Sequence, residues 1–173
     1  MMNKLILIAA VSNDGSIGND NGLLFKIRDD MRNFRETTIG NHVIMGRKTW
    51  ESLGRIPLPK RFNHIVTNNS NLQACKTVSV ANLNKTLANI KIMGTYSDLN
   101  VYVIGGGEIY NQTIDLADEL IITHVDSNKT GDVKFPTIDM NKWIEEVGCR
   151  KYIQQDQWNE CSATIKHYIK LRK

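Results

Sequence analysis

The sequence has little of what marks a secreted, membrane-bound or nucleic-acid-binding protein. Its three cysteines, Cys75, Cys149 and Cys161, are odd in number and show no CxxC spacing. Neither a disulfide framework nor a zinc site is indicated, and reduced thiols in a cytosol are the expectation. No apolar run approaches the roughly 20 residues of a membrane span. Residues 5–11 are apolar and follow Lys4, a faint imitation of a signal peptide. The run is short, lacks a small-residue cleavage site and passes straight into Ser12-Asn13-Asp14-Gly15, so a buried strand is the better reading. Positive charge is in slight excess, with 22 Lys and Arg against 18 Asp and Glu. It is scattered through every segment, which argues against a nucleic-acid partner, while the modest excess suits small anionic ligands. The densest basic stretch, residues 166–173, alternates charge with apolar side chains and reads as a strand with one wet face. There are no repeats, no low-complexity tract and no linker. The 173 residues are expected to form a single domain, 1–173, with chain enough to bury a proper core.

What the chain does have is a succession of continuous apolar runs bounded by turn residues, the pattern of strands buried on both faces. They cover residues 5–11, 42–45, 64–67, 101–104 and 120–125. Helical stretches fall between them, at 29–38, 47–53, 81–90 and 108–117; the first sets Met31, Phe34 and Arg35 on one face. This alternation predicts an α/β fold, a central and mostly parallel twisted sheet with helices on both faces. Residues 152–158 and 162–171 alternate around Asn159-Glu160 and predict a C-terminal antiparallel hairpin closing the sheet edge. Two long connections, 12–27 and 126–134, stand apart. The first is rich in Asn, Asp and Gly without regular periodicity, and a loop of that length has the character of a lid.

Three motifs carry chemistry. Gly105-Gly106-Gly107 lies between an apolar strand and a helix, where bare backbone lets N–H groups approach a phosphate. The run is not GxGxxG, and a bland tight turn explains it about as well. Gly46-Arg47-Lys48-Thr49 follows another apolar run and opens another helix, bringing two cations and a hydroxyl to an anion; a solvated cap is the plain alternative. Two such sites on neighbouring strands suggest a dinucleotide with a 2′-phosphate. Asp30 is the third element. Asp29 reads as helix-dipole decoration, but Asp30 shares the face of Met31 and Phe34, and a carboxylate among apolar neighbours calls for a polar partner. Its two oxygens suit an amidine-like N–H pair on a 2-amino-4-oxo heterocycle.

Taken in order, Ile17-Gly18, Asp30-Met31 with Phe34, residues 43–55, Leu58-Pro59 with Arg61-Phe62-Asn63, residues 103–110, Thr123-His124, Gly131-Asp132 and Phe135-Pro136 resemble the blocks of the dihydrofolate reductase family. They span nearly the whole chain. The resemblance implies a cytoplasmic, monomeric enzyme that reduces dihydrofolate to tetrahydrofolate with NADPH, supporting one-carbon metabolism. By the same resemblance Asp30 would hold the pterin amino and ring N–H groups, oriented by Thr123. Ile8, Met31, Phe34, Leu58 and Ile104 would wall the pterin and benzoyl rings. Arg61 would pair with the glutamate carboxylate, with Arg35 assisting. Ala10, Ile17 and Gly18 would lie along the nicotinamide. Gly46, Arg47, Lys48, Thr49, Thr67 and Asn68 would surround the adenosine phosphate end. Gly105, Gly106 and Gly107 would carry a cis glycine peptide beside the pyrophosphate, continued by Glu108, Ile109 and Tyr110. Hydride would pass directly to pterin C6, with the N5 proton coming from water. No metal is implied.

The chain departs from the family pattern in its lid, where Leu24 and Phe25 stand in place of the usual proline and tryptophan and Arg28 in place of a frequent proline. A looser lid is the expectation. Glu108 puts a negative charge where some relatives carry a cation. Two other readings share the scaffold: a riboflavin-pathway pyrimidine reductase, which would need neither the Asp30–Phe34 face nor Arg61, and a folate-binding protein that has lost turnover.

Overall fold

The computed structural model describes residues 4–69, 72, 78–93 and 98–171; Cys75 and the last two residues of the basic run lie outside them. The first third of the chain forms β1 (Leu5–Val11), β2 (Ser16–Asn19), β3 (Gly22–Leu23), α1 (Arg28–Thr38), β4 (His42–Gly46) and α2 (Arg47–Ser52). The middle forms β5 (Phe62–Val66), β6 (Val78–Ala81), α3 (Leu83–Met93), β7 (Val101–Val103), α4 (Gly107–Thr113) and β8 (Glu119–Val125). The remainder forms β9 (Val133–Lys134), β10 (Trp143–Glu145), a short 3₁₀ turn (Val147–Cys149), β11 (Lys151–Ile153) and β12 (Ala163–Lys170).

The apolar runs become the heart of one sheet, in the order β10-β12-β8-β1-β7-β4-β5-β6. From β8 to β6 neighbouring strands are parallel. Continuous apolar runs suit this position because successive side chains point to opposite faces and both faces are covered. Leu7 and Ile44 enter one apolar cluster, with Ile90 of α3 and Ile109 of α4. Their strand neighbours Ile6, Ile8, Val43 and Met45 enter the other, with Trp50 of α2 and Phe34 of α1. Helices therefore cover both faces, as the alternation predicts. β12 runs antiparallel to β8 on one side and to β10 and β11 on the other.

Four details differ from the sequence reading. The segment before α3 is β6, paired to β5 in parallel, and the helix starts after Asn82, whose side chain accepts from Lys85 N at 2.9 Å. Helix α4 stops at Thr113 rather than residue 117. In the C-terminal hairpin only Lys151–Ile153 pairs with β12. The rest of 152–158 is loop, because Asp156 Oδ1 accepts from Trp158 N at 2.7 Å and Asn159 N at 2.8 Å, a local bond that competes with the ladder. The lid segment is also not structureless. β2 and β3 form a hairpin across Asp20-Asn21, whose φ values of 48° and 58° match the paired left-handed residues of a two-residue turn.

Candidate active site

A cleft of about 760 Å³ opens at the carboxyl ends of β1, β4, β5 and β7, where open α/β sheets place their ligands. One end is apolar with a single carboxylate. Ile8 of β1, Met31 and Phe34 of α1, Leu58 and Ile104 line it, joined by Phe25 and Ile27 from the end of the lid. Asp30 reaches in from α1 and its Oδ1 accepts the Thr123 hydroxyl of β8 at 2.5 Å. Burial raises the Asp30 carboxyl above its ordinary value, and the Thr123 bond opposes that rise. Thr123 is 2% exposed and touches the site only through Asp30.

Arg61 stands beside this end rather than among the cleft-lining side chains. Its Nε donates to Pro59 O at 3.1 Å and its Nη1 to Thr38 Oγ1 at 3.0 Å, with the guanidinium 5.8 Å from the centre of the Phe34 ring. Thr38 is itself fixed by donating to Phe34 O at 2.8 Å. Burial lowers the Arg61 pKa, and the nearby Arg35 charge lowers it further. The two arginines thus lie close together. Arg35 is exposed on the last turn of α1 and does not line the cleft.

The other end is floored by glycine. Gly46 N donates to Gly105 O at 2.7 Å, joining the ends of β4 and β7, and the Gly105–Gly106 peptide is cis. Gly105 has φ +113°, and a Cβ there would press on the Tyr110 ring at 3.2 Å, so glycine is required twice over. The third glycine serves a different purpose. A Cβ on Gly107 would stand 2.8 Å from Val133 Cγ1 of β9, so its bareness lets the strand that anchors the lid lie against α4. Ile109 and Tyr110 line the cleft but belong mainly to packing; the buried Tyr110 hydroxyl donates to Ile8 O at 2.6 Å. Lys48, Thr49, Thr67, Asn68 and Glu108 line the same end, and Glu108 accepts from Gln112 Nε2 at 2.7 Å. Arg47 also lines it, but its Nη1 is shared between both oxygens of Glu51, at 2.8 Å each. Sequence reasoning missed Glu51 as a partner, although an Arg-to-Glu spacing of four on a helix was the signal for it. Among the described residues Lys48 forms no ion pair.

The lid closes the middle of the cleft. Ala10, Ile17 and Gly18 face it there, with Leu23, Leu24 and Asp132. β2 pairs with β9 as well as β3. Gly131 N donates to Ser16 Oγ at 2.9 Å, Phe135 N donates to Gly15 O at 2.9 Å, and Lys134 pairs with Asp14. Phe25 is 7% exposed and packs into the cluster of Ile8, Met45 and Trp50. The lid in this structure is pinned at both ends, by its pairing with β9 and by Phe25.

A half-buried carboxylate in an apolar pocket, continuous with a glycine-floored groove bearing cations, defines an α/β protein whose cleft is built to hold two ligands, one of them anionic. A family model described as dihydrofolate reductase matches residues 4–170. A dihydrofolate reductase of Neisseria gonorrhoeae is 38% identical over 168 residues, 97% of this chain and 99% of that protein. The type 3 dihydrofolate reductase of Salmonella typhimurium is 36% identical over 140 residues, 80% of this chain and 82% of that protein. Among solved structures, a dihydrofolate reductase from Enterococcus faecalis complexed with NADP(H) and RAB-propyl superposes with a TM-score of 0.88 at 26% identity, over 99% of this chain and 100% of that one. The chain belongs to the dihydrofolate reductase family.

Proposed function

We propose that the protein reduces 7,8-dihydrofolate to tetrahydrofolate with NADPH, acting as a single-domain monomer in the cytoplasm. Among the described residues no helix is long and apolar enough to cross a membrane. One observation carries the functional reading: the Asp30 carboxylate, half-buried and held by Thr123, stands in an apolar pocket that runs into the glycine-floored groove.

The groove fits a dinucleotide. Gly46, Gly105 and Gly106 line it together with Arg47, Lys48 and Thr49, so bare backbone and cations meet where a pyrophosphate would lie. Lys48 and the Glu51-paired Arg47 would hold the 2′-phosphate, with Thr67 and Asn68 beside the adenosine. Ala10, Ile17 and Gly18 would hold the nicotinamide, which supplies a hydride when bound. Ile8, Met31, Phe34, Leu58 and Ile104 would fix the pterin and benzoyl rings within reach of it. Asp30 accepts from the pterin amino and ring N–H groups, and its charge raises the basicity of N5 on the far side of the ring. Among the described residues that line the apolar end, only Asp30 carries a titratable group, so the N5 proton comes from water. Arg61, preset by Thr38 and Pro59, grips the glutamate carboxylate.

A steady-state assay of NADPH consumption tests the proposal. Turnover with dihydrofolate is expected. A protein that binds NADPH and folate but never consumes them would support the binding-protein reading instead.

A further inference from the structure

Helix α1 carries Asp30, yet nothing in its own segment caps it. Its N-cap residue is Ile27, and no local side chain bonds the open N–H groups. The cap comes from 130 residues away. The Asn159 side chain, 1% exposed, accepts from Asp29 N at 3.1 Å and donates to the Asp29 carboxylate at 3.0 Å. Trp158 O accepts from Arg28 N at 3.3 Å, and Ile27 and Asn159 form an isolated antiparallel bridge. Asn159 is locked in turn by Asp156, and Arg28 lies 4.7 Å over the Trp158 ring. Asp30 is the very next residue, and its carboxylate must meet Thr123 on a strand at the centre of the sheet.

We propose that Asn159 is a positioning residue: it caps α1 in trans and, through Asp29, sets where the Asp30 carboxylate stands in the cleft. Asp29 is then the handle by which the helix is held, not decoration of its dipole. The inference rests on the functional reading above. A carboxylate that must meet two N–H groups of a flat ring tolerates little displacement, since about 1 Å of misplacement can cost as much as 10²-fold. The cap touches neither the glycine-floored groove nor any ligand, so its loss should weigh on one substrate alone.

The test is an exchange of partners. Asn159→Asp sets two carboxylates against each other. Asp29→Asn with Asn159→Asp restores both hydrogen bonds with the roles reversed, since the new carboxylate accepts from residue 29 N and from the new amide. In Asn159→Asp, kcat/KM for dihydrofolate should fall about 10-fold or more while KM for NADPH stays within twofold, and the exchanged pair should recover most of the loss. Asn159→Ala, which removes the bonds without repulsion, should move the same way and keeps the test open if Asn159→Asp does not fold. Dihydrofolate parameters within twofold of the parent, equal losses for both substrates, or no recovery in the exchanged pair would each overturn the proposal. If the parent itself does not reduce dihydrofolate, the functional reading falls separately. Positioning is then judged from the carboxyl carbon resonance of Asp30, which must move in Asn159→Asp and return in the exchanged pair; an unmoved resonance overturns it.

Discussion

At the scale of single residues, the site sets stability against activity. Burial raises the Asp30 carboxyl above its unfolded value, so the folded chain holds that proton more tightly than the unfolded one. Its contribution to stability is then fully present below the unfolded pKa and is lost as pH rises through the folded pKa. At neutral pH the charge is a cost that the ligand-free fold carries for function. Asp30→Asn should therefore raise the melting temperature by roughly 2–4 °C per kcal/mol relieved, while kcat/KM for dihydrofolate falls by about 10²–10⁴. Melting curves and assays on one preparation check both halves, and a lower melting temperature or an undiminished rate would refute the pairing. Arg61 makes a second case. Lys cannot reproduce a planar fork held by Thr38 and Pro59. Arg61→Lys should weaken folate by about 10-fold, the low end for a charge-assisted bond, and leave a pterin without the glutamate tail unaffected. Equal weakening of both, measured by fluorescence titration, would assign Arg61 to structure instead.

Among the elements, the lid depends on one glycine. A Cβ on Gly131 would stand 2.1 Å from Gly18 O, a backbone atom that cannot swing aside. Gly131→Ala should force β2 and β9 apart at a cost of about 1–3 kcal/mol and lower kcat. Hydrogen exchange at residues 16–19 should accelerate while that of β8 does not; unchanged lid protection would count against the assignment. The same elements mark what a reader of the sequence could find. The buried strands were legible because a continuous apolar run has one economical use in an α/β chain. Asp30, too, could be picked out by its place between apolar neighbours. The lid's small sheet was not, although Asp20-Asn21-Gly22 held its turn signal, because β2 and β3, at 4 and 2 residues, are too short for periodicity to register. The Arg47–Glu51 pair lay within reach of helical spacing. Asn159 did not: its partner is 130 positions away, and local pattern carries no record of such a contact.

At the scale of the whole molecule, the sheet contains an acid-sensitive joint. His42 of β4 and His64 of β5 are buried and their rings share a hydrogen bond of 2.9 Å between Nδ1 and Nε2, which needs a proton on one ring and a free lone pair on the other. Burial and the His42 ring hold His64 down to about 4, and burial lowers His42 as well. Unfolded histidines titrate near 6.5. Stability from the pair is thus complete above about 6.5 and drains as pH falls toward about 4, at up to roughly 1.4 kcal/mol per pH unit for each proton. Urea midpoints at pH 7 and pH 5 should separate more for the parent than for His64→Val, and equal separations would dismiss the joint. The order of the strands also has a bearing on how the chain is made. β1 leaves the ribosome well before its partners, which begin at residues 101 and 119, and β8 gains its outer neighbour only from Ala163 onward. For most of synthesis, then, an apolar strand waits with both edges bare, the condition in which strands pair with the wrong chain. A nascent chain halted before residue 163 would carry β8, an apolar strand buried in the finished sheet, as a bare outer edge, so the last strand to be made decides whether β8 escapes pairing with the wrong chain.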